Sequence, residues 1–251
     1  MKKILLTFDL EYWFESLSIQ KYLLGNEKDE VATFINNLLN LLKQTNSTAT
    51  FFVTKKVLDK EPNVVKQISN AGHEIAVHSS DHKPLWDKNP EMFNEEIKQL
   101  ISQIESLIDK KPIGHRAVNF SLNKSTEWSI KVLKENNLKY DSSILPLSIK
   151  PNLFNIDNFK EIKVFSGGFY IRAIPWFLFK TLLKNKTIKK STCLYFHPFD
   201  FATEVPNIKM TFIKKFLKYY NTKNTWKKLQ YIVKRFDCVS IEKYLYEDST
   251  N

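Results

Sequence analysis

Residues 3–11 read KILLTFDLE, an apolar run that ends in two carboxylates, Asp9 and Glu11. A short, continuous apolar run of this kind predicts a buried β-strand. Strands that are buried on both faces occur mainly in parallel sheets covered by helices. The segment therefore predicts an α/β protein whose first strand delivers acidic side chains to its carboxyl end.

The rest of the chain continues this alternation of short apolar runs and longer amphipathic ones. Further strands are predicted at residues 48–53, 73–77, 113–117, 161–165, 192–196 and 236–241. Helices are predicted at residues 27–44, 63–70, 90–108, 125–135, 212–220 and 226–233. This order is typical of repeated βα units. Because no linker or internal repeat divides the chain, we expect one domain over residues 1–251.

Four polar side chains lie at, or just beyond, the ends of predicted strands. They are Asp9, His78, Arg116 and His197. In parallel α/β barrels the carboxyl ends of the strands converge on one face, where reactive groups meet. The four positions therefore predict a functional site.

His78 and His82, in the segment EIAVHSSDH, are candidate metal ligands. Two imidazoles four residues apart can face the same way on a helical turn and share one cation. A hydrolytic metal site keeps a position open for water, so about three protein ligands are expected. Of Asp9 and Glu11, one would bind the cation and the other would take a proton from water. The residues alone leave that division open.

Arg116 in IGHRAVNF and His197 in LYFHPFD complete the candidate set. A guanidinium near Asp9 would fix the orientation of that carboxylate. An imidazole at position 197 could protonate a departing amine or alkoxide. We assign no catalytic role to His73 or to His115. In a regular strand, the side chain of His115 should point away from that of its neighbour Arg116.

Together these segments resemble the polysaccharide deacetylases that carry the NodB homology domain (carbohydrate esterase family 4). TFDLE resembles the first motif of that family, HSSDH its His-x-x-x-His motif, HRAVNF its arginine motif and LYFHPFD its final histidine motif. The order matches over residues 3–245. The Asp-x-Glu form of the first motif is similar to the subgroup associated with exopolysaccharide and surface-glycan synthesis.

The resemblance implies a NodB-type, TIM-like distorted (β/α)7 barrel and hydrolysis of an acetyl group by metal-activated water. It implies Asp9 as general base, Arg116 as the residue that orients it, and His197 as general acid. The implied metal ligands are Glu11, His78 and His82, and the usual ion is zinc. Such a hydrolase acts on C–N bonds other than peptide bonds. The substrate would be a polysaccharide or lipid-linked saccharide, with N-acetyl favoured over O-acetyl.

Two departures from the family pattern concern the site. Glu11 stands where most of the family has Asp, and its side chain is longer. Val118 replaces the usual proline, and Asn119 the frequent tyrosine, where a backbone amide is thought to hold the oxyanion. Two other functions therefore stay open. One is an amidohydrolase that uses the same site on a cyclic amide or imide, and the other is a catalytically degenerate, glycan-binding relative.

The net charge of +11 is concentrated in residues 180–235, which hold fourteen Lys or Arg and two acids, Asp200 and Glu204. A cationic region suggests an anionic surface or polymer as partner. No nucleic-acid motif accompanies the charge, so nucleic acid is not expected. Segment 174–190 (IPWFLFKTLLKNKTIKK) starts apolar and ends rich in lysine. It predicts either a barrel helix with a basic outer face or contact with an anionic membrane surface.

Cys193 and Cys238 lie in apolar runs without CxxC spacing, which predicts two buried thiols in a reducing compartment. No apolar run approaches the roughly 20 residues that span a bilayer. The first apolar run stops at Asp9, which is too short for a signal peptide. We expect a cytoplasmic protein, and peripheral contact with the inner face of the membrane stays open.

Overall fold

The computed structural model describes residues 3–23, 31–145, 159–184, 191–204 and 210–249. Nine strands of these residues form one sheet, and every pair of neighbours is parallel. They are β1 (Lys3–Leu10), β2 (Thr50–Val53), β3 (Glu74–Val77), β4 (Gly114–His115), β5 (Tyr140–Asp141), β6 (Lys160–Glu161), β7 (Val164–Gly167), β8 (Ser191–Phe196) and β9 (Asp237–Val239).

Helices connect the strands and cover the outside of the sheet. They are α1 (Leu17–Gln20), α2 (Val31–Gln44), α3 (Lys55–Lys60), α4 (Pro62–Asn70), α5 (Pro90–Ile108), α6 (Trp128–Glu135), α7 (Gly168–Ala173), α8 (Trp176–Lys184), α9 (Phe212–Tyr219), α10 (Thr225–Arg235) and α11 (Ile241–Ser249). Short 3₁₀ turns occur at Leu85–Asp87, Val118–Phe120, Pro198–Phe201 and Thr222–Asn224.

Helix α5 shows how local sequence defines an element. The Asn89 side chain accepts a hydrogen bond from the backbone N–H of Met92, and Pro90 occupies the first helical turn. At the other end Asp109 adopts the left-handed conformation that closes many helices. The predicted bounds, 90–108, are therefore confirmed.

Strand β1 is the centre of the sheet. It pairs with β8 over residues 3–8, whereas β9 and β2 pair with its first and last parts, respectively. The strand order is β6-β5-β4-β3-β2-β1-β8-β7, with β9 beside β1. This curled parallel sheet with its helices confirms the expected distorted (β/α) barrel.

The two faces of β1 serve different layers of the protein. Ile4, Leu6 and Phe8 join the large core under the helices. Leu5 points the other way, into a cluster built mostly of strand residues inside the curled sheet. Because side chains alternate along a strand, Thr7 and Asp9 share that inner face. The register of β1 therefore directs Asp9 into the barrel.

Three of the differences between the predicted and observed boundaries have a visible cause. The strand predicted at 113–117 shrinks to β4, because the chain turns into a 3₁₀ segment after Arg116. The strand predicted at 161–165 divides into β6 and β7, with a register shift between Val164 and Ser166. The last strand ends at Val239, since the carbonyl of Ser240 already accepts a helical hydrogen bond from the N–H of Tyr244.

Two further expectations concern burial and the membrane. Cys193 and Cys238 are both buried free thiols, as predicted. Of the helices within the described ranges, none combines the length and the apolar character needed to traverse a bilayer. The part of segment 174–190 beyond residue 184 lies outside the described residues.

Candidate active site

Arg116 and Asp9 form a buried ion pair inside the barrel. Nη1 of Arg116 donates to Oδ1 of Asp9 at 2.6 Å and to the Thr7 hydroxyl at 2.9 Å. Nε and Nη2 donate to the carbonyl and hydroxyl oxygens of Ser142, both at 2.9 Å. The guanidinium also lies over the Phe52 ring, 4.1 Å from its centroid. These contacts hold Arg116 rigidly and orient one oxygen of Asp9, as expected from the sequence.

Glu11, His78 and His82 come together at the carboxyl ends of β1 and β3. Each is buried, and one potential ligand atom from each lies within 4.8 Å of the others. His82 Nε2 contacts Glu11 Oε2 directly, and His78 Nε2 lies 3.6 Å from the same oxygen. No other His, Cys, Asp or Glu cluster of this kind occurs in the described part of the chain. The three residues predicted as ligands are therefore neighbours in space.

The backbone of this histidine pair differs from the predicted helical turn. Residues 78–84 form a loop, and His82 has a left-handed φ of 53°. Ser79 Oγ accepts from the N–H of His82 at 3.1 Å, and Glu96 accepts from Ser80 N at 2.6 Å. Such side-chain bonds to nearby backbone compete with helix formation. The prediction of a helical turn is wrong, yet the two rings still converge, with centroids 6.0 Å apart.

Electrostatics around Glu11 favour positive charge. Burial by itself would raise the pKa of Glu11, but the adjacent His82 and His78 lower it well below its ordinary value. In turn, burial acts to lower the pKa of His78, but the hydrogen bond with Glu11 and the negative charges of Asp9 and Glu11 together raise it above its ordinary value. His78 Nδ1 donates to the carbonyl of Arg116 at 2.7 Å, which turns Nε2 toward Glu11.

His197 follows β8 and is held by a carboxylate three residues later. Asp200 Oδ2 accepts from the backbone N–H of His197 at 2.8 Å and from its Nδ1 at 3.0 Å. Oδ1 of Asp200 lies 2.8 Å from Nε of the buried Arg172. Burial acts to lower the pKa of His197, but the hydrogen bond to Asp200 and the negative charges of Asp200, Glu11 and Asp9 together raise it above its ordinary value. The imidazole is thus biased toward its protonated form.

The same interaction directs His197 at Asp9. With Nδ1 bound to Asp200, Nε2 faces the barrel and lies 3.9 Å from Oδ2 of Asp9. Arg116 occupies the other oxygen of that carboxylate. Asp9 therefore presents one engaged oxygen to the arginine and one oxygen on the side of His197. The His197 side chain is 18% exposed, so it also borders the opening.

The segment after Arg116 carries unusual backbone. Asn119 and Phe120 have left-handed φ angles of 57° and 51°, which are uncommon for residues other than glycine. The Ala117 N–H donates to Ser143 Oγ at 2.7 Å, which ties this segment to the chain that follows β5. Strain of this kind is concentrated at functional sites.

The remaining histidines have structural surroundings. His115 Nδ1 donates to Asp141 Oδ1 at 2.6 Å, and both side chains are buried. Asp141 also accepts from the N–H and hydroxyl of Ser143, so it supports the segment that follows β5. His73 precedes β3, and burial lowers its pKa to about 4. Neither His73 nor His115 belongs to the cluster of Glu11, His78 and His82.

Sequence reasoning missed two members of the site. Asp200 was noted only as an acid in a basic region, and Arg172 received no role. The signal for Asp200 is its position three residues after His197 with Pro198 between them, a spacing typical of a capped turn. No comparable local signal marks Arg172, because its partner lies 28 positions away in the chain.

A shallow cavity of about 270 Å³ opens beside His82. Its lining includes Lys55, Lys56 and Asp59 of α3. These groups are polar and charged, so the space outside the cluster offers hydrogen bonds to a hydrophilic ligand.

Comparison with known families gives two matches along the chain. The polysaccharide deacetylase family model matches residues 1–140, which is more than half of the chain. A domain of unknown function (DUF3473) matches residues 146–246. The boundary between them lies after β5, so the first match contains the strands that carry Asp9, His78 and Arg116.

Individual proteins agree with this result. The peptidoglycan-N-acetylmuramic acid deacetylase PdaA of Bacillus subtilis is 26% identical over 160 residues, 50% of this chain and 60% of that protein. A Bacillus cereus peptidoglycan-N-acetylglucosamine deacetylase is 39% identical over 64 residues, 26% of this chain and 23% of that protein. The matches thus span less than two thirds of these relatives.

Solved structures share the fold. A Mycobacterium smegmatis protein described as a candidate polysaccharide deacetylase has a TM-score of 0.67 and 19% identity, covering 98% of this chain and 89% of that one. A pseudoenzyme of carbohydrate esterase family 4 from Bacillus anthracis has a TM-score of 0.57 and 14% identity, covering 96% and 64%. The same architecture therefore occurs with and without activity.

Proposed function

The chain belongs to the polysaccharide deacetylase family, and we propose that it hydrolyses an acetyl group on a saccharide with the help of one divalent cation. N-acetyl is favoured over O-acetyl, and the saccharide is a polysaccharide or a lipid-linked precursor. The observation that carries the proposal is the buried cluster of Glu11, His78 and His82 beside a separate carboxylate, Asp9, and imidazole, His197.

The donor set suits a catalytic metal site. One carboxylate oxygen and two imidazole nitrogens make three ligands, which leaves a position for water or substrate. The pKa values of Glu11 and His78 shift in the directions that favour a positive charge beside Glu11. Zinc is our preferred ion, although imidazole and carboxylate ligands accept other divalent ions as well. When bound, the cation would activate water and polarise the acetyl carbonyl.

In this proposal Asp9 is the general base. Its Oδ1 is engaged by Arg116, so its other oxygen is the one that accepts a proton from the attacking water. The arginine contributes by orientation, because its four hydrogen bonds hold the guanidinium in one position. A carboxylate held in one rotamer loses little entropy when it meets the water.

His197 is the general acid. Its pKa is raised above the ordinary value, which favours the protonated ring, and Asp200 fixes Nδ1 so that Nε2 faces the reacting groups. The departing amine needs a proton as its bond to the acetyl carbon breaks. Nε2 supplies that proton, which leaves the neutral tautomer protonated at Nδ1 and hydrogen-bonded to Asp200.

The test combines metal analysis with acetate release from N-acetylated and O-acetylated oligosaccharides. His78→Ala should lose metal and turnover together. Asp9→Ala should keep the metal and lose turnover. Glu105→Ala, which removes an exposed carboxylate of α5, should keep both. Full turnover by Asp9→Ala would exclude that residue as the base.

A second candidate is a glycan-binding protein without turnover, because a pseudoenzyme has the same fold. The two functions differ in one measurement. The metal-loaded protein would bind acetylated oligosaccharide in both cases, but only a deacetylase would release acetate in proportion to protein concentration.

A further inference from the structure

Helix α9 turns its apolar side toward solvent. Phe212, Ile213, Phe216 and Leu217 recur at helical spacing and are all exposed, Phe212 by 81% and Ile213 by 69%. The one buried residue of this helix is Tyr219. A helix that served only to cover the core would bury this apolar side. Its orientation therefore indicates a surface made for contact.

Helix α8 exposes a second apolar strip. Trp176, Phe177, Leu178 and Leu182 are exposed, although Phe179 packs inward against the ring of Tyr231. Exposed apolar side chains of this size and number mark interaction surfaces in most proteins. We call the exposed residues of α8 and α9 the α8/α9 surface.

Helix α7 joins these two helices. The Arg172 guanidinium donates to the carbonyls of Tyr220 and Leu217 at the end of α9, at 2.7 and 2.9 Å. The Phe169 ring also contacts the ring of Phe216, with centroids 6.1 Å apart. Helix α8 begins only three residues after α7. Helix α7 therefore holds the end of α9 close to the start of α8.

Positive charge accompanies this apolar surface. Lys214 and Lys215 lie on α9, and Lys180 and Lys184 lie on α8. The two acids of residues 180–235 do not balance them: Asp200 is buried against His197, which leaves Glu204. Aromatic side chains bordered by lysines match the interface of an anionic bilayer, where rings enter the headgroup layer and ammonium groups meet lipid phosphates.

The α8/α9 surface is connected to the acid side of the site. The Lys218 ammonium donates to the carbonyl of Trp13 at 2.7 Å and lies 3.8 Å from the centroid of the Phe199 ring. Phe199 in turn stacks on His197 at 4.5 Å. Arg172, which holds the end of α9, also pairs with Asp200. Contact with a membrane through α9 would therefore lie next to His197.

We propose that the α8/α9 surface docks the protein on an anionic lipid bilayer, so that the site meets acetylated saccharide anchored in that bilayer. The choice of substrate rests on the proposed deacetylase function, whereas the docking itself does not. Compared with the expectation for residues 174–190, the structure adds α9 as a second contact and places it beside His197.

The docking is tested by flotation of the metal-loaded full chain with vesicles of phosphatidylcholine, with and without phosphatidylglycerol. We expect binding only to the anionic vesicles, weakened by salt. The double variant Phe212→Ser/Ile213→Ser should lower the vesicle-bound fraction about tenfold. Its turnover of a soluble acetylated oligosaccharide should not change. Met92→Ser, which removes an apolar side chain of α5 that is 57% exposed, is the control and should bind like the wild type.

Three results would overturn the docking proposal. One is wild-type protein that releases acetate but does not float with anionic vesicles at low salt. Another is vesicle binding that the double variant retains. The third is self-association through the same residues without any vesicle binding. If binding depends on Phe212 and Ile213 but no acetate is released from any substrate, the docking stands and the proposed deacetylase function fails.

Discussion

Nη1 of Arg116 lies 2.6 Å from Oδ1 of Asp9, although 107 positions separate the two residues in the chain. Both side chains are buried, and the arginine has no exposed surface. Burying such a charge is costly unless it is paired and hydrogen-bonded. The full set of partners around Arg116 meets that condition, so the pair acts as one rigid unit at the centre of the site.

Replacement of Arg116 by lysine should therefore keep the positive charge but lose the orientation of Asp9. A lysine ammonium is a single point charge and cannot reproduce the fork that binds Asp9, Thr7 and Ser142 at once. We expect kcat to fall by about 100-fold, while the bound metal stays unchanged. Arg235→Lys, on the exposed end of α10, is the control and should keep full activity. Unaltered turnover in Arg116→Lys would show that orientation of Asp9 is unimportant.

Asp200→Asn should alter the pH profile. The carboxylate raises the pKa of His197 against the effect of burial, so its removal should lower that pKa. A general acid works below its pKa, and the basic limb of the rate profile should therefore move to lower pH. The profile of kcat/KM against pH measures this shift. Glu204→Gln, which neutralises an exposed acid four residues later, should leave the limb in place. An unmoved limb in Asp200→Asn would separate His197 from the acid role.

Glu11→Gln should weaken metal binding. The amide keeps the shape of the side chain but loses the negative charge that attracts the cation. Loss of a direct ligand charge should exceed the about 10–100-fold effect of an outer partner. Metal affinity is measured by titration of the chelator-stripped protein. Glu15→Gln is a matched control, because Glu15 is also buried but bonds to Tyr12 N and Thr54 instead. Equal affinities of the two variants would contradict Glu11 as a ligand.

The buried Glu74 lies away from the site, and we expect it to make the stability of the protein depend on pH. Burial raises its pKa from the ordinary 4.5 to about 7, despite hydrogen bonds from Thr50, Tyr140 and the N–H of Glu242. The pKa of Glu74 is higher in the folded state than in the unfolded state. The contribution of Glu74 to stability is therefore fully present below pH 4.5. It is lost as pH rises through 7. The difference between these values corresponds to about 3 kcal/mol of unfolding free energy.

Glu74→Gln makes that dependence measurable. The amide does not titrate, so the wild type should lose stability relative to this variant between pH 4.5 and 7, and the difference should be level above that range. Denaturant unfolding followed by circular dichroism at several pH values measures it. Glu105→Gln, on the exposed face of α5, should differ from the wild type by an amount that hardly varies with pH. A constant difference for Glu74→Gln would contradict the titration.

The sequence by itself determined most of the strands and the polar residues that end them, although β5 is not among the predicted strands. Hydrophobic periodicity is a local property, so KILLTF, TFFV and EIAV are legible without knowledge of the fold. The placement of Asp9, His78 and His197 at strand ends follows from the same local reading. Parallel pairing then brings such ends to one face, which is why the sequence alone groups the candidate residues.

Tertiary structure alone decided which groups touch. The pairing of Arg172 with Asp200, the contact of Arg116 with Ser142, and the outward face of α9 depend on register and packing between distant segments. The loop that carries His82 is also set from afar, by Glu96 of α5 bonding to Ser80. Local propensity has a range of a few residues, whereas these contacts join segments 16 to 28 positions apart. These contacts therefore form only when the whole sheet folds.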